Sequence, residues 1–211
     1  EDAALKINEI LPQTNYTNEI PFSQSLFVRI ESIENGDCVS VGEYVALKVN
    51  PLPEFEVPEE DVYCQNLEDL QVSISNPQGT YSYEWKDPSG NTISTTTSAL
   101  IPSGGSYTVT ATSALNCISK TRTIVVKESS VATLSQDDIE VMDGEEQNSI
   151  SIDPSNFGIG VYEYALDNSL GPYLEEPFFD QVMPGEHTLY VRDKNGCGIA
   201  QIQVFVIGYM N

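Results

Sequence analysis

Basic residues are scarce in this sequence. Nine lysines and arginines stand against 32 aspartates and glutamates, for a net charge of −23. A surface of that sign repels phosphate backbones and anionic lipid headgroups, which argues against nucleic acid and acidic membrane surfaces as partners. Histidine occurs once, at His187. General-base chemistry near neutral pH therefore has a single imidazole to draw on, and no HxxxH zinc spacing can exist. No CxxC pair occurs, and no GxSxG, HExxH or phosphate-cradling glycine loop. No apolar run approaches the ~20 residues of a membrane helix, so direct membrane insertion is not expected, and no leader peptide is visible. Helical periodicity is nearly absent.

What remains is β-structure. Short runs rich in Val, Ile, Thr and Tyr alternate with Asn, Gly, Pro and Ser clusters, which is the pattern of an all-β chain. The runs repeat. "SGGSYTVTATSALNCI", residues 103–118, lies over "MPGEHTLYVRDKNGCG", residues 183–198, and a looser copy is "QSLFVRIESIENGDCV", residues 24–39. Cys38, Cys117 and Cys197 align, spaced by 79 and 80 residues, and an apolar strand follows each one. A fixed period of about 80 residues predicts tandem β-sandwich modules. We place a partial module at 1–53, an immunoglobulin-like module at 54–127, a further sandwich at 128–208, and the start of a linker at 209–211. "NPLPEFEVPEED", residues 50–61, reads as an extended connector stiffened by its prolines. The first module is short by some strands, so the native chain is expected to extend upstream of Glu1. Its opening, "EDAALKINEILPQTNYTNEI", reads as a short helix or a loop.

The cysteines suggest a staple. Cys64 begins the second module, Cys117 nears its end, and Trp85 lies between them in "YSYEWKDPSG". Cys…Trp…Cys is the immunoglobulin order, so a Cys64–Cys117 disulfide beside a core Trp85 is expected. Cys38 and Cys197 have no evident mates. Tyr107 belongs to the core, and His187 replaces it in the next repeat, which gives the histidine a structural position. Asp193, Asn195 and Gly196 open "DKNGCG" in the manner of a calcium loop, but no later ligands follow, and the stretch reads as a tight turn between the last two strands. No cofactor is expected, with Ca2+ held by carboxylates at module junctions as the alternative. Asn15 stands in a glycosylation sequon. Tyr162, Tyr164, Tyr173 and Tyr190 offer a face for sugars, or else supply core and cross-strand pairs.

"VYEYALDNSLGPYLEEPFFDQVMPGEHTLYVRDKNGCG" resembles the repeat of the very large gliding-motility surface adhesins of Bacteroidota. "GTYSYEWKDPSGNTISTTTSALIPSGGSYTVTATSALNC" is similar to their PKD-like or immunoglobulin-like modules. "TNYTNEIPFSQSLFVRIESIENGDCVSVGEYVALKVNPLPE" is similar to the module before them. "VFVIGYMN" resembles the residues that precede a type B sorting domain of type IX secretion substrates. The resemblance implies export by the type IX translocon with its outer-membrane partners, and display at the cell surface or release. It implies a non-catalytic adhesive stalk, with a surface glycan or protein as a further partner. The alternatives are the non-catalytic end of a secreted polysaccharide-degrading enzyme and a carbohydrate-binding module.

Overall fold

The computed structural model describes residues 23–31, 39–144 and 147–208. Every extended element in it is a strand, and the helical content is two single 3-10 turns at Gln136–Asp138 and Pro154–Asn156. The first described element is an antiparallel pair, β1 (Ser23–Glu31) and β2 (Val39–Lys48), in register from Ser23↔Lys48 to Glu31↔Val39 with a shift between Phe27 and Arg29. Cys38, Asn15 and the N-terminal helix-or-loop segment lie outside the described residues.

The second module is a sandwich of two sheets. One sheet has the order β3 (Glu60–Cys64), β9 (Arg122–Ser129), β8 (Gly105–Ser113), β5 (Tyr81–Lys86), β6 (Thr92–Ser94); the other pairs β4 (Leu70–Ser73) with β7 (Ser98–Ile101). Period-two alternation puts Tyr83 and Trp85 of β5, and Tyr107, Val109 and Ala111 of β8, on one face. Ile124 and Val126 of β9 share that face, which closes on Val72, Ala99 and Ile101 of the second sheet. Trp85 and Tyr107 are fully buried. The indole N–H of Trp85 donates to the Thr96 carbonyl at 2.9 Å, which satisfies the polar handle of a ring sealed in the core. Asp87 makes the β5–β6 turn: its Oδ1 accepts the N–H groups of Ser89 and Asn91 at 2.9 and 2.8 Å. Phe55, from the connector, joins this core against Tyr83 at a ring separation of 5.6 Å.

The third module repeats the plan with β10 (Ile139–Met142), β11 (Ser149–Ile152) and β13 (Phe178–Phe179) in one sheet, and β12 (Tyr162–Leu166), β14 (Gly185–Asp193) and β15 (Ile199–Val206) in the other. Its core gathers Ile150, Ile152, Phe157, Tyr164, Leu189, Val191, Val204 and Val206, and shares no residue with the core of the second module. The repeat is exact at the level of pairing. Tyr81 of β5 faces Ser113 of β8, and Tyr162 of β12 faces Asp193 of β14.

The expected Cys64–Cys117 disulfide is not formed. Cys64 is bonded to Cys197, and Cys117 is a free thiol. The cause is β3, which runs parallel to β9 and places Cys64 opposite Ser129, the last residue of that strand. Cys117 precedes β9, at the other end of the sheet. Eight residues of extended strand separate the two ends by about 25 Å, far beyond the roughly 7 Å of Cα separation that a disulfide can bridge. In the immunoglobulin order the first cysteine belongs to the inner strand of the opposite sheet. Here that strand is β4, where Val72 takes the core position.

Candidate functional site: a clasp between modules

The turn from β14 to β15, "DKNGCG", is a tight turn, and it also joins two modules. Asp193 ends β14 as a fully buried carboxylate, 1% exposed. The Gly196 N–H donates to the Asp193 carbonyl at 3.1 Å and closes the turn. Gly196 has φ of 91°, in the region where glycine carries no Cβ penalty. The Cys197 N–H then donates to Oδ2 of Asp193 at 3.0 Å, which aims the Cys197 side chain away from its own module. Across the junction Cys197 meets Cys64, with the two Cα atoms 5.3 Å apart. Cys197 is 4% exposed.

Polar contacts surround the bond. The hydroxyl of Ser129, the buried last residue of β9, donates to Oδ1 of Asp193 at 2.9 Å. The same oxygen accepts the Val161 N–H at 3.3 Å. Asn195 donates to the Ser129 hydroxyl at 3.1 Å. From the β3–β4 loop, Asn66 Nδ2 donates to the Cys197 carbonyl at 3.0 Å, and its Oδ1 accepts the Val131 N–H at 3.1 Å. The Gln65 N–H donates to the Ser129 carbonyl at 2.9 Å. Gly198 lies where a Cβ would sit 3.4 Å from Val131, so the two segments pass in van der Waals contact. A buried carboxylate is costly unless hydrogen bonds satisfy it, and here both oxygens accept from protein donors. Among the described residues no group of three or more His, Cys, Asp or Glu is placed to hold a metal ion.

The turn between β8 and β9 has the same construction. The Asn116 N–H donates to the Ser113 carbonyl at 2.9 Å, and Asn116 has φ of 59°. The Cys117 N–H donates to Oγ of Ser113 at 3.2 Å. Ser113, Asn116 and Cys117 therefore do locally what Asp193, Gly196 and Cys197 do in the next module.

His187 likewise copies its counterpart. The Tyr107 hydroxyl donates to the Ser103 carbonyl at 3.0 Å, and His187 Nε2 contacts the Met183 carbonyl at 2.6 Å, four residues back in both cases. His187 Nδ1 lies 2.7 Å from Oδ2 of Asp167, whose Oδ1 accepts the Thr188 N–H at 2.9 Å. A carbonyl and a carboxylate both accept, so both ring nitrogens donate and the imidazolium form fits the site. Burial opposes the charge, but the bonds to Asp167 and Met183 outweigh it and raise the pKa above its ordinary value. The imidazole has no free nitrogen for proton transfer.

The four tyrosines do not form one face. Tyr164 is buried in the core. The Tyr162 hydroxyl donates to the carbonyls of Ser130 and Phe157. Tyr173 carries the Arg192 guanidinium over its ring at 3.8 Å, and Arg192 is paired with Glu163.

Residues 1–53 match the model of a family described as the Flavobacterium inter-domain disulphide bond domain. No curated protein matches the chain. Among solved structures, extracellular domains 3–5 of Drosophila OTK are similar at 11% identity, with 82% of this chain and 69% of that chain covered and a TM-score of 0.48. The fibronectin(III)-like modules of CbhA from Clostridium thermocellum are similar at 14% identity, over 74% of this chain and 95% of that one, at a TM-score of 0.36. The BSP domain of a biofilm associated protein is similar at 12% identity, over 74% of this chain and 29% of that one, at a TM-score of 0.25. Disulfides persist in oxidising compartments, and a clasp of this kind belongs to an extracytoplasmic chain.

Proposed function

We propose that this chain is a non-catalytic stalk segment of a larger secreted protein, in which successive β-sandwich modules are fastened to one another by disulfides. The observation that carries this reading is the junction of Cys64, Cys197, Asp193 and Ser129. Freely jointed modules have polar, water-filled junctions, and relative motion is their default. A covalent bond next to a buried, fully hydrogen-bonded carboxylate fixes one orientation instead. The description of the family matched by residues 1–53 supports the same theme.

The resemblance to gliding-motility adhesins extends this reading to export through the type IX translocon and display on the cell surface. The high negative charge suits such a setting, because self-repulsion keeps a crowded surface protein soluble. No residue is assigned a catalytic role: the sole histidine is held by two acceptors, and the most buried acid, Asp193, is held by donors from its own turn and the neighbouring module.

The test is made on intact cells of the source bacterium. A membrane-impermeant amine label should reach the protein on cells with a working type IX translocon and miss it on cells without one. Retention in the cytoplasm of a cell whose translocon works would overturn the proposal.

A further inference from the structure

We propose that β15 of the third module is a pairing edge, at which two copies of this chain join antiparallel strands about a two-fold axis. The pairing goes beyond the stalk reading and does not depend on it. β15 is the last strand of its sheet and pairs with β14 alone. It has eight residues, whereas every other edge strand of the two sandwiches has five or fewer. Long open edges are blunted in most proteins by charge, proline or a covering segment. β9, the counterpart of β15 in the second module, has such protection: Arg122 and Lys127 lie on it, and β3 covers it from Val125 to Ser129. β15 has none. From Ile199 to Gly208 there is no charged residue and no proline. Asp143 and Gly144 bond only to Ile207, just past its end.

Three hydrogen bonds show which residues of β15 turn their backbone outward. The Val125 N–H donates to the Glu59 carbonyl on the outer side of β9, and Phe205 is its equivalent, since Tyr107 pairs with Ile124 as His187 does with Val204. The Gln203 carbonyl accepts the Gln136 side-chain amide at 2.8 Å, and the Ile207 N–H donates to Asp143 at 2.8 Å. In an antiparallel ladder the direction alternates, so Ile199, Gln201, Gln203 and Phe205 aim their N–H and C=O groups away from β14. Among the described residues no backbone group pairs with them there. Their side chains are exposed as well.

The edge is its own complement. Laid antiparallel on a second copy with Ile202 on the axis, Ile199 faces Phe205 and Gln201 faces Gln203, so apolar side chains meet apolar ones and amides meet amides. Any neighbouring register sets Phe205 against an amide or leaves it beyond the end of the facing strand. The two sheets become one, with β12-β14-β15 continued through the axis, and the contact closes because the same patch serves both copies. A net charge of −23 repels two copies, and they meet where charge is absent. The Gln136 amide leaves room for the pairing, because a carbonyl has two lone pairs and accepts an incoming N–H beside it.

The experiment is sedimentation equilibrium of the 211-residue chain over a concentration series, at low and high salt. Cys38→Ser and Cys117→Ser are included to remove the two thiols outside the Cys64–Cys197 bond. The expected result is a reversible monomer–dimer equilibrium that tightens with salt, as screening weakens the like-charge repulsion, with no larger species. Gln201→Pro removes an outward N–H and spares the ladder to β14, and it should weaken association about tenfold because two symmetry-related bonds are lost. Phe205→Glu, at a side chain 64% exposed, should weaken it too and serves if the proline variant fails to fold. On mild oxidation an equal mixture of Gln201→Cys and Gln203→Cys chains should cross-link, and neither chain alone should. A chain that stays monomeric across the series, that dimerises unchanged in both edge variants, or that cross-links through Gln201→Cys alone overturns the proposal.

Discussion

Ser129 and Asp193 share a hydrogen bond of 2.9 Å between the last residue of one module's closing strand and the last residue of a strand in the next, and both side chains are buried. This bond makes the junction sensitive to a change of one atom. Asp193→Asn keeps the size but turns an amide NH2 toward the donors that the carboxylate accepts. An unsatisfied buried donor costs about 1–3 kcal/mol, so a loss of about 2 kcal/mol is expected in urea unfolding. Ser129→Ala removes one donor of several and should cost about 1 kcal/mol.

Reduction should loosen the pair of modules without dissolving either core. The Cys64–Cys197 loop spans 133 residues, and closing it is worth about 5 kcal/mol in the chain-entropy model. The expected calorimetric outcome is a single, high transition in the oxidised protein that splits into two lower ones after dithiothreitol. Cys197→Ser should reproduce the split. An unchanged trace after complete reduction would contradict the coupling.

His187 makes the third module pH-sensitive. Its folded pKa is raised, so its contribution is fully present below the unfolded value near 6.5 and is lost as pH rises through the folded value. Stability measured by denaturant unfolding should therefore decline from about pH 6 toward alkaline pH. His187→Phe should abolish that slope. Asp167→Asn should weaken it, because the Met183 carbonyl still favours a protonated Nε2.

Trp85 tests the independence of the cores. It is completely buried in the second module and contacts none of the third module's core cluster. Trp85→Ala should cost about 3–5 kcal/mol. In the reduced protein the loss should appear in one calorimetric transition only.

The all-β class was legible because its signal is local: alternation of Tyr, Val and Thr, with Asn and Gly at the turns. The repeat was legible for the same reason, down to Tyr107 over His187 and Cys117 over Cys197. The Cys64–Cys197 pairing is not legible in the sequence because its cause is not local. Nothing in the period of "EDVYC" reveals that it will pair in parallel with β9 instead of taking the inner place filled by β4. That single choice of neighbour moves Cys64 to the opposite end of the sandwich. In the sequence Asp193 opens a turn. Its burial arises only when Ser129 of another module arrives, and a pattern read within one repeat cannot contain that. One signal was present: the same cysteine recurs in successive turns, whereas a staple internal to each sandwich needs two per module, and the third module has one.

The placement of Cys64 at the end of β3 changes how tension would travel through the chain. A pull applied to the connector at residues 50–59 runs along β3 and reaches the disulfide. There it crosses to Cys197 and leaves along β15, toward the end of the third module. The backbone between the two cysteines, about 450 Å when drawn out, is bypassed. Most of both sandwiches therefore hangs beside the line of force, and the extensible length of the segment is a small fraction of its contour until the sulfur bridge is reduced.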